Sequence, residues 1–203
     1  MEWLVTLGRT LGFSLAAGVN LYATVAILGL AARYQWVQLP EQFKVFDNPW
    51  IIGAAATLYV IEFVADKVPW VDSIWDSVHT LIRPVGGALI AVASIGEASP
   101  LMTGVIALLG GTVAAGSHAT KAGTRVAANT TPEPFSNWFL SLAEDAFVIG
   151  LSFITLKYPL IALAVSVVIL VLIVMVFRSI WKWLTNRKSG FESASTPAGP
   201  DRA

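Results

Sequence analysis

The chain has no cysteine, only two histidines and few charged residues for its length. The absence of cysteine excludes disulfides, thiolate metal sites and thiol catalysis, and two histidines alone do not favour a zinc enzyme. Charged residues make up 13% of the 203 residues, about half the roughly 25% that is usual in soluble domains. Because 56% of the residues are hydrophobic, the composition indicates an integral membrane protein.

Neither charge nor motif points to an enzyme acting on a soluble substrate. The chain has thirteen basic and thirteen acidic residues, so its net charge gives no reason to expect nucleic acid as a partner. It contains no Gly-x-Ser-x-Gly elbow, no phosphate-binding loop and no His-Glu-x-x-His motif. We therefore expect no cofactor, and the lipid bilayer is the first expected partner.

Long apolar runs predict an all-α, polytopic membrane helix bundle of about six spans. A span needs about 20 mostly apolar residues. An amphipathic connector, Trp70–Thr80, joins the second run to the third, and we expect a transmembrane domain over residues 1–188 and a disordered cytoplasmic tail over residues 189–203. The predicted spans are Trp3–Ala32, Trp50–Ala65, Leu81–Gly96, Pro100–Gly116, Trp138–Leu156 and Pro159–Leu184.

The basic residues predict that both termini lie in the cytoplasm, since cytoplasmic segments are enriched in lysine and arginine. Six spans put both termini on one side, and eight basic residues fall on that side against three on the other. The eight are Lys67, Arg83, Lys121, Arg125, Arg178, Lys182, Arg187 and Lys188, and the three are Arg33, Lys44 and Lys157.

Two similar segments indicate a 3+3 inverted repeat, residues 1–98 and 99–188. Ala16–Asn20 resembles Ala114–His118, and each is followed by a span that contains an acid, Glu62 or Glu144. Glycine-interrupted helices at matching positions are typical of secondary transporters, although Ala-Ala-Gly is also common in any helix rich in small residues. A helix break near Asn20 would free backbone carbonyls. Its amide could satisfy them, face a ligand, or bond to a neighbouring helix.

Acidic residues inside the apolar runs are the strongest functional signal. A carboxylate at the bilayer centre costs about 2.5–3.5 kcal/mol on insertion scales. Glu62 and Asp66 share one helix face, with Lys67 one residue further on, and Glu144 is adjacent to Asp145. They predict either proton or cation binding, or ion pairs with Arg83, Lys121 or Arg125.

Two further stripes of polar residues have helical spacing. Asp72, Asp76, His79 and Arg83 fall on one face of the connector. We favour a solvated face here, and the alternative is a site for a hard divalent cation. His118, Lys121 and Arg125 form a basic stripe, which would bind an anionic substrate or, without specificity, lipid headgroups. His118 could also relay protons.

The same motifs resemble an uncharacterised family of small bacterial membrane proteins, domain of unknown function 4126. The resemblance covers residues 5–175 and implies a polytopic inner-membrane protein with no assigned activity. The segments that carry it are Ala17–Asn20 with Tyr22, Glu62–Pro69, Val71-Asp72, Trp75-Asp76, Ile82-Arg83-Pro84, Gly86-Gly87-Ala88, Ser117–Lys121 and Glu144-Asp145.

These patterns favour a small transporter or flippase with a charged central site, proton-coupled and acting on an anionic small molecule or lipid. The alternatives are a non-catalytic scaffold or assembly protein, in which the charges only pair helices, and a metal-dependent enzyme on lipid phosphates. A homo-oligomer is compatible with the sequence. The expected substrate or coupling residues are Asn20, Glu62, Asp66, Lys67, Arg83, His118, Lys121, Arg125, Glu144 and Asp145, and the weak metal candidates are Asp72, Asp76 and His79.

Overall fold

A computed structural model describes residues 1–129 and 134–194, and every regular element in those ranges is helical. The predicted all-α class is therefore confirmed. The elements are α1 (Glu2–Val19), α2 (Leu21–Arg33), a short 3₁₀ helix (Glu41–Phe46), α3 (Pro49–Ala65), α4 (Pro69–Ile95), α5 (Pro100–Asn129), α6 (Pro134–Lys157) and α7 (Pro159–Ala194).

The first predicted span is two helices separated by a single extended residue, Asn20, with φ −146° and ψ 99°. The Asn20 side chain accepts a hydrogen bond from the backbone N–H of Ala23 at 2.9 Å and so caps α2. Beyond this residue α2 turns back along α1. Arg9 in α1 donates to the carbonyl of Gln38 after α2, and the rings of Phe13 and Phe43 lie 6.0 Å apart.

Contacts of small residues on α1 define its course through the bundle. A Cβ at Gly8 would collide with Pro159, one at Gly12 with Thr155, and one at Gly18 with Ala114 and Ser117. The start of α1 therefore lies where α6 ends and α7 begins, and its end lies against the middle of α5. The tip of the α1–α2 hairpin thus stops partway along α4 and α5, which run on past it by about ten residues or more.

The predicted connector and third span form one helix, α4, which continues through Pro84. The connector was expected to end at Thr80 and the span to begin at Leu81, but the helix has no end there. Pro84 does not end it either, because a proline removes only one hydrogen bond of a helix and the neighbouring turns hold the element together. Similarly, the polar stretch after Gly116 does not end the fourth span, because α5 runs to Asn129. In both places the charged residues and histidines of one helix face point into the protein and are buried, which lets the helix continue.

Four helices of the described chain are long and apolar enough to cross a membrane: α4, α5, α6 and α7. The apolar helices α2 and α3 are shorter, with 13 and 17 residues. The six-span count is not confirmed, and the inverted repeat stays a prediction. The segment Ala16–Asn20 breaks a helix, whereas Ala114–His118 lies inside the unbroken α5 and packs directly against it.

The chain divides into two compact units. The first, Met1–Val167, contains α1 to α6 and the first turns of α7. The second begins at Val168 and is the remainder of α7, an apolar helix that ends at Ala194. Residues 189–194 of the expected disordered tail are therefore helical, and residues 195–203 lie outside the described residues.

Candidate functional site

Arg83 is fully buried at the centre of the first unit and joins three helices. Its Nη2 donates to Glu62 Oε1 on α3 at 2.7 Å. Its Nη1 lies 3.3 Å from Asp76 Oδ1, which is on α4 like Arg83 itself. Nη1 also approaches the carbonyl oxygen of Gly18 at 3.4 Å, near the end of α1. Because the chain breaks after Val19, this carbonyl lacks a helical partner, and a cation at a helix C-terminus is stabilised by the helix dipole.

Lys121 and Arg125 extend the cluster along α5 and are also buried. Lys121 Nζ lies 3.2 Å from Glu62 Oε1, 3.2 Å from Asp66 Oδ2 and 3.6 Å from Glu144 Oε2. Arg125 binds Glu144 with two bonds, Nη2 to Oε2 at 2.6 Å and Nε to Oε1 at 3.0 Å. Its Nη2 also donates to Asp66 Oδ2 at 3.2 Å, and its Nη1 to the Asp66 carbonyl at 2.9 Å.

We call this set of seven side chains the ion-pair network. It connects four consecutive helices, because Glu62 lies on α3, Arg83 on α4, Lys121 on α5 and Glu144 on α6. The ion pairs that the sequence left as one of two alternatives for Glu62 and Glu144 are present, and they bring the first and second halves of the chain together. The members are Glu62, Asp66, Asp76, Arg83, Lys121, Arg125 and Glu144.

His118 adjoins the network as a neutral imidazole. Its Nδ1 lies 2.7 Å from Arg83 Nη1. A guanidinium can only donate, so Nδ1 must accept and the proton must be on Nε2. That nitrogen lies 3.2 Å from both the Asp76 carbonyl and the Thr80 hydroxyl. His118 thus links Thr80, an exposed residue of α4, to the buried arginine.

His79 is engaged in a separate aromatic cluster. Its Nδ1 donates to the Trp75 carbonyl at 2.7 Å, so Nε2 accepts from the Tyr22 hydroxyl at 2.8 Å. Tyr22 was part of the recognised sequence motif but had been given no role. With both ring nitrogens occupied, His79 is not available as a metal ligand. No group of three histidine or acidic residues in the described ranges is placed to hold a metal ion.

The favoured interpretation of the α4 stripe was wrong. All four of its residues are buried, at 5% exposure or less, so this face is turned into the protein and not towards solvent. The stripe faces inwards because α4 continues as one helix and packs against α5 and, over part of its length, against α1. Asp76 and Arg83 enter the network directly, and Asp72 lies within electrostatic range of Arg125.

The basic stripe of α5 also differs from its expected form. Lys121 and Arg125 lie on one face as predicted, but both are already in contact with carboxylates, and His118 is neutral. In addition, Lys121, Arg125 and Arg83 are buried. They therefore cannot be counted among the loop charges that indicate which side is cytoplasmic. Three of the eight residues that assigned both termini to the cytoplasm therefore no longer support that orientation, which stays a prediction.

Lys67 and Asp145 lie beside the network. Lys67 Nζ sits 3.0 Å from the centre of the Phe63 ring and donates to the Phe63 carbonyl at 2.8 Å. It also lies 3.3 Å from the hydroxyl of Ser141, one turn before Asp145 on α6. Partial burial lowers the pKa of the Lys67 amine, and Asp145 acts in the opposite direction.

Asp145 differs from its neighbour Glu144 in its partners. It is 6% exposed. Among the described residues it makes no ion pair within 4.0 Å, and its Oδ2 has no hydrogen-bond partner. It does interact electrostatically with Asp66, Lys121 and Glu62. Asp145 is therefore a buried acid next to the network that forms no ion pair in the described ranges, and Lys121 and Lys67 act on it only from a longer distance.

Asn20 lies outside the network, and its side chain serves the helix break. Its amide satisfies the start of α2, and its own carbonyl accepts from the Thr24 hydroxyl at 2.9 Å. The Asn20 side chain thus accepts from a backbone N–H of α2, which differs from the expected donation to a freed carbonyl. The break positions the Gly18 carbonyl against Arg83. It also positions the Tyr22 hydroxyl against His79.

The profile of the family described as Domain of unknown function (DUF4126) matches residues 7–179. The chain belongs to this family. The match spans most of the chain and all seven members of the ion-pair network, so the resemblance that the sequence motifs indicated is confirmed. Comparisons with curated proteins and with solved structures gave no match.

Proposed function

We propose that this member of the family is a membrane protein that conducts protons through its helix bundle, with the ion-pair network and Asp145 as the central site. The observation that carries the proposal is an excess of acid in the interior. Four bases, the buried Arg83, Lys121 and Arg125 and the partly buried Lys67, face six carboxyl groups: Glu62, Asp66, Asp72, Asp76, Glu144 and Asp145.

An excess of buried acid has to be neutralised. An isolated ionised carboxylate is too costly in a low-dielectric interior, so the surplus groups take up protons or bind a cation. Buried carboxyl oxygens without a hydrogen-bond partner occur on Glu62 and Asp145, and the Asp76 Oδ1 atom has only its ion-pair contact with Arg83 Nη1 at 3.3 Å. These three acids lie on three different helices, which is an arrangement suited to passing protons between groups.

This proposal replaces the anionic substrate that the basic stripe suggested. Each of the three buried bases already contacts at least two carboxylates, so an anion would have to displace an acid to bind. A proton requires no such rearrangement. We take the bacterial inner membrane as the location that the family resemblance implies.

The second candidate function is that of a scaffold, in which the network only fixes four helices together. The contacts of Arg125 favour it, since this side chain bonds Glu144 twice and Asp66 at both side chain and backbone. A guanidinium whose hydrogen bonds all go to fixed protein groups is typical of an arginine with a structural role. The two candidates differ in Asp145, which a scaffold does not need.

Proton flux distinguishes the two candidates. We expect liposomes that contain the purified protein and a pH-sensitive dye to take up protons under a membrane potential faster than empty liposomes. Asp145→Asn should lower this flux by at least about tenfold, because it removes a relay group. Its thermal stability in detergent should not fall, because Asp145 makes no ion pair in the described structure.

The matched control is Glu97→Gln, the same loss of an acid at an exposed residue in the turn after α4. Its flux should equal that of the unaltered protein. Protein-containing liposomes that are no faster than empty ones, or an Asp145→Asn variant with undiminished flux, would exclude proton conduction through this site and leave the scaffold.

A further inference from the structure

A groove with both polar and apolar lining opens on the surface between α4 and α5, and Ala122 and Val126 of α5 form its apolar side. Its volume is about 190 Å³. Hydroxyl groups of Ser73, Ser77 and Thr80 form one wall, and all three residues are exposed. At the bottom lie Asp72, Asp76 and Arg125, each of which is at most 5% exposed.

The groove reaches the ion-pair network at three separate points. Asp76 lies 3.3 Å from Arg83, and Arg125 binds Glu144 at 2.6 Å. The Thr80 hydroxyl lies 3.2 Å from His118 Nε2, the nitrogen that carries the proton. Because the groove contacts the ion-pair network at three points, it provides a route to the network from outside the bundle.

The two sides of the exposed surface of α4 differ in chemistry. Ser73 and Ser77 lie in the groove, whereas the adjacent Ile74 and Val78 are 59% and 56% exposed and apolar. The Ser77 hydroxyl donates to the Ser73 carbonyl one turn earlier, so its oxygen can also accept a hydrogen bond from water. One side therefore suits lipid chains and the other suits water.

We infer that this groove is the water-filled access route by which protons reach the buried acids at Asp72 and Asp76. Hydroxyl groups and carboxylates solvate hydronium, and at the bottom of the groove two acids, Asp72 and Asp76, face one base, Arg125. The inference rests on the proposed proton conduction, but it specifies where water enters, which the network alone does not.

Single-cysteine labelling tests the route, and the natural absence of cysteine leaves no background. Ser77→Cys and Val78→Cys are compared in native membranes with a membrane-impermeant, positively charged maleimide. Only a thiol in water forms the reactive thiolate. We expect Ser77→Cys to react at least about tenfold faster than Val78→Cys, because both positions are exposed and only their surroundings differ.

Equal labelling of the two variants would overturn the inference, since α4 would then lie wholly in water or wholly in lipid at this level. Absence of labelling at Ser77→Cys would also overturn it. The result is independent of flux. Labelling at residue 77 without proton flux would refute conduction but keep the groove, and flux without such labelling would refute the groove alone.

A blocking variant adds a second readout. Ser77→Leu places an apolar side chain in the groove and leaves every network residue unchanged, so proton flux should fall severalfold. Val78→Leu changes the lipid-facing side by one methylene group and should leave the flux unaltered. Undiminished flux in Ser77→Leu would contradict the access route.

Discussion

Arg125→Gln is expected to destabilise the folded protein by about 3–5 kcal/mol, the usual cost of removing one partner from a buried ion pair. The loss is large because two carboxylates, Asp66 and Glu144, depend on this guanidinium, at 3.2 Å and 2.6 Å. Lys121 cannot replace it, since it already contacts Glu62 as well as both of these acids. Unfolding in detergent micelles, followed by circular dichroism, measures the change.

The control for this variant is Arg33→Gln. Arg33 also pairs with an aspartate, Asp47, at 3.5 Å, but both side chains are roughly 40% exposed. An exposed pair contributes less than about 1 kcal/mol. Equal stability of Arg125→Gln and Arg33→Gln would show that the bundle does not depend on the buried pairs.

The pair Arg83–Glu62 is expected to show strong coupling in a double-mutant cycle. Both side chains are 0% exposed and lie 2.7 Å apart. Arg83→Gln and Glu62→Gln should each cost about 3–5 kcal/mol, since each removes the nearest partner of a fully buried charge. The double variant should cost about 1–3 kcal/mol less than their sum.

The exposed pair Lys44–Glu41 gives the comparison for the cycle. Its 2.9 Å distance is similar, but both side chains are largely in solvent, so no measurable coupling is expected. The same coupling energy in both cycles would show that burial does not strengthen the Arg83–Glu62 pair.

The sequence predicted the pairing of charges better than the path of the chain. Acids inside apolar runs need partners, so Glu62 and Glu144 could be matched to the few bases available, Arg83, Lys121 and Arg125. The break at Asn20 was also predictable from Gly18-Val19-Asn20. The direction of α2 was not, because one extended residue allows several angles and packing of Phe13 against Phe43 selects among them.

Burial of the α4 stripe could not be predicted from periodicity. Spacing shows that Asp72, Asp76, His79 and Arg83 share a face, but a solvated face and a buried polar face have the same period. The deciding fact is long-range: α5 supplies His118 and Arg125 to that face. The sequence also could not predict that Asp145 makes no ion pair while Glu144 does. Only the packing of α6 shows which of the two adjacent acids contacts Lys121 and Arg125.

The central claim is that the surplus carboxyl groups in the bundle hold protons, and infrared spectroscopy of the membrane-embedded protein tests it most directly. At neutral pH we predict the carbonyl band of a protonated carboxyl group, and a weaker band in Asp145→Asn. If the spectrum contained no such band, or if the band kept its full intensity in Asp145→Asn, the assignment of a proton to this acid would be contradicted.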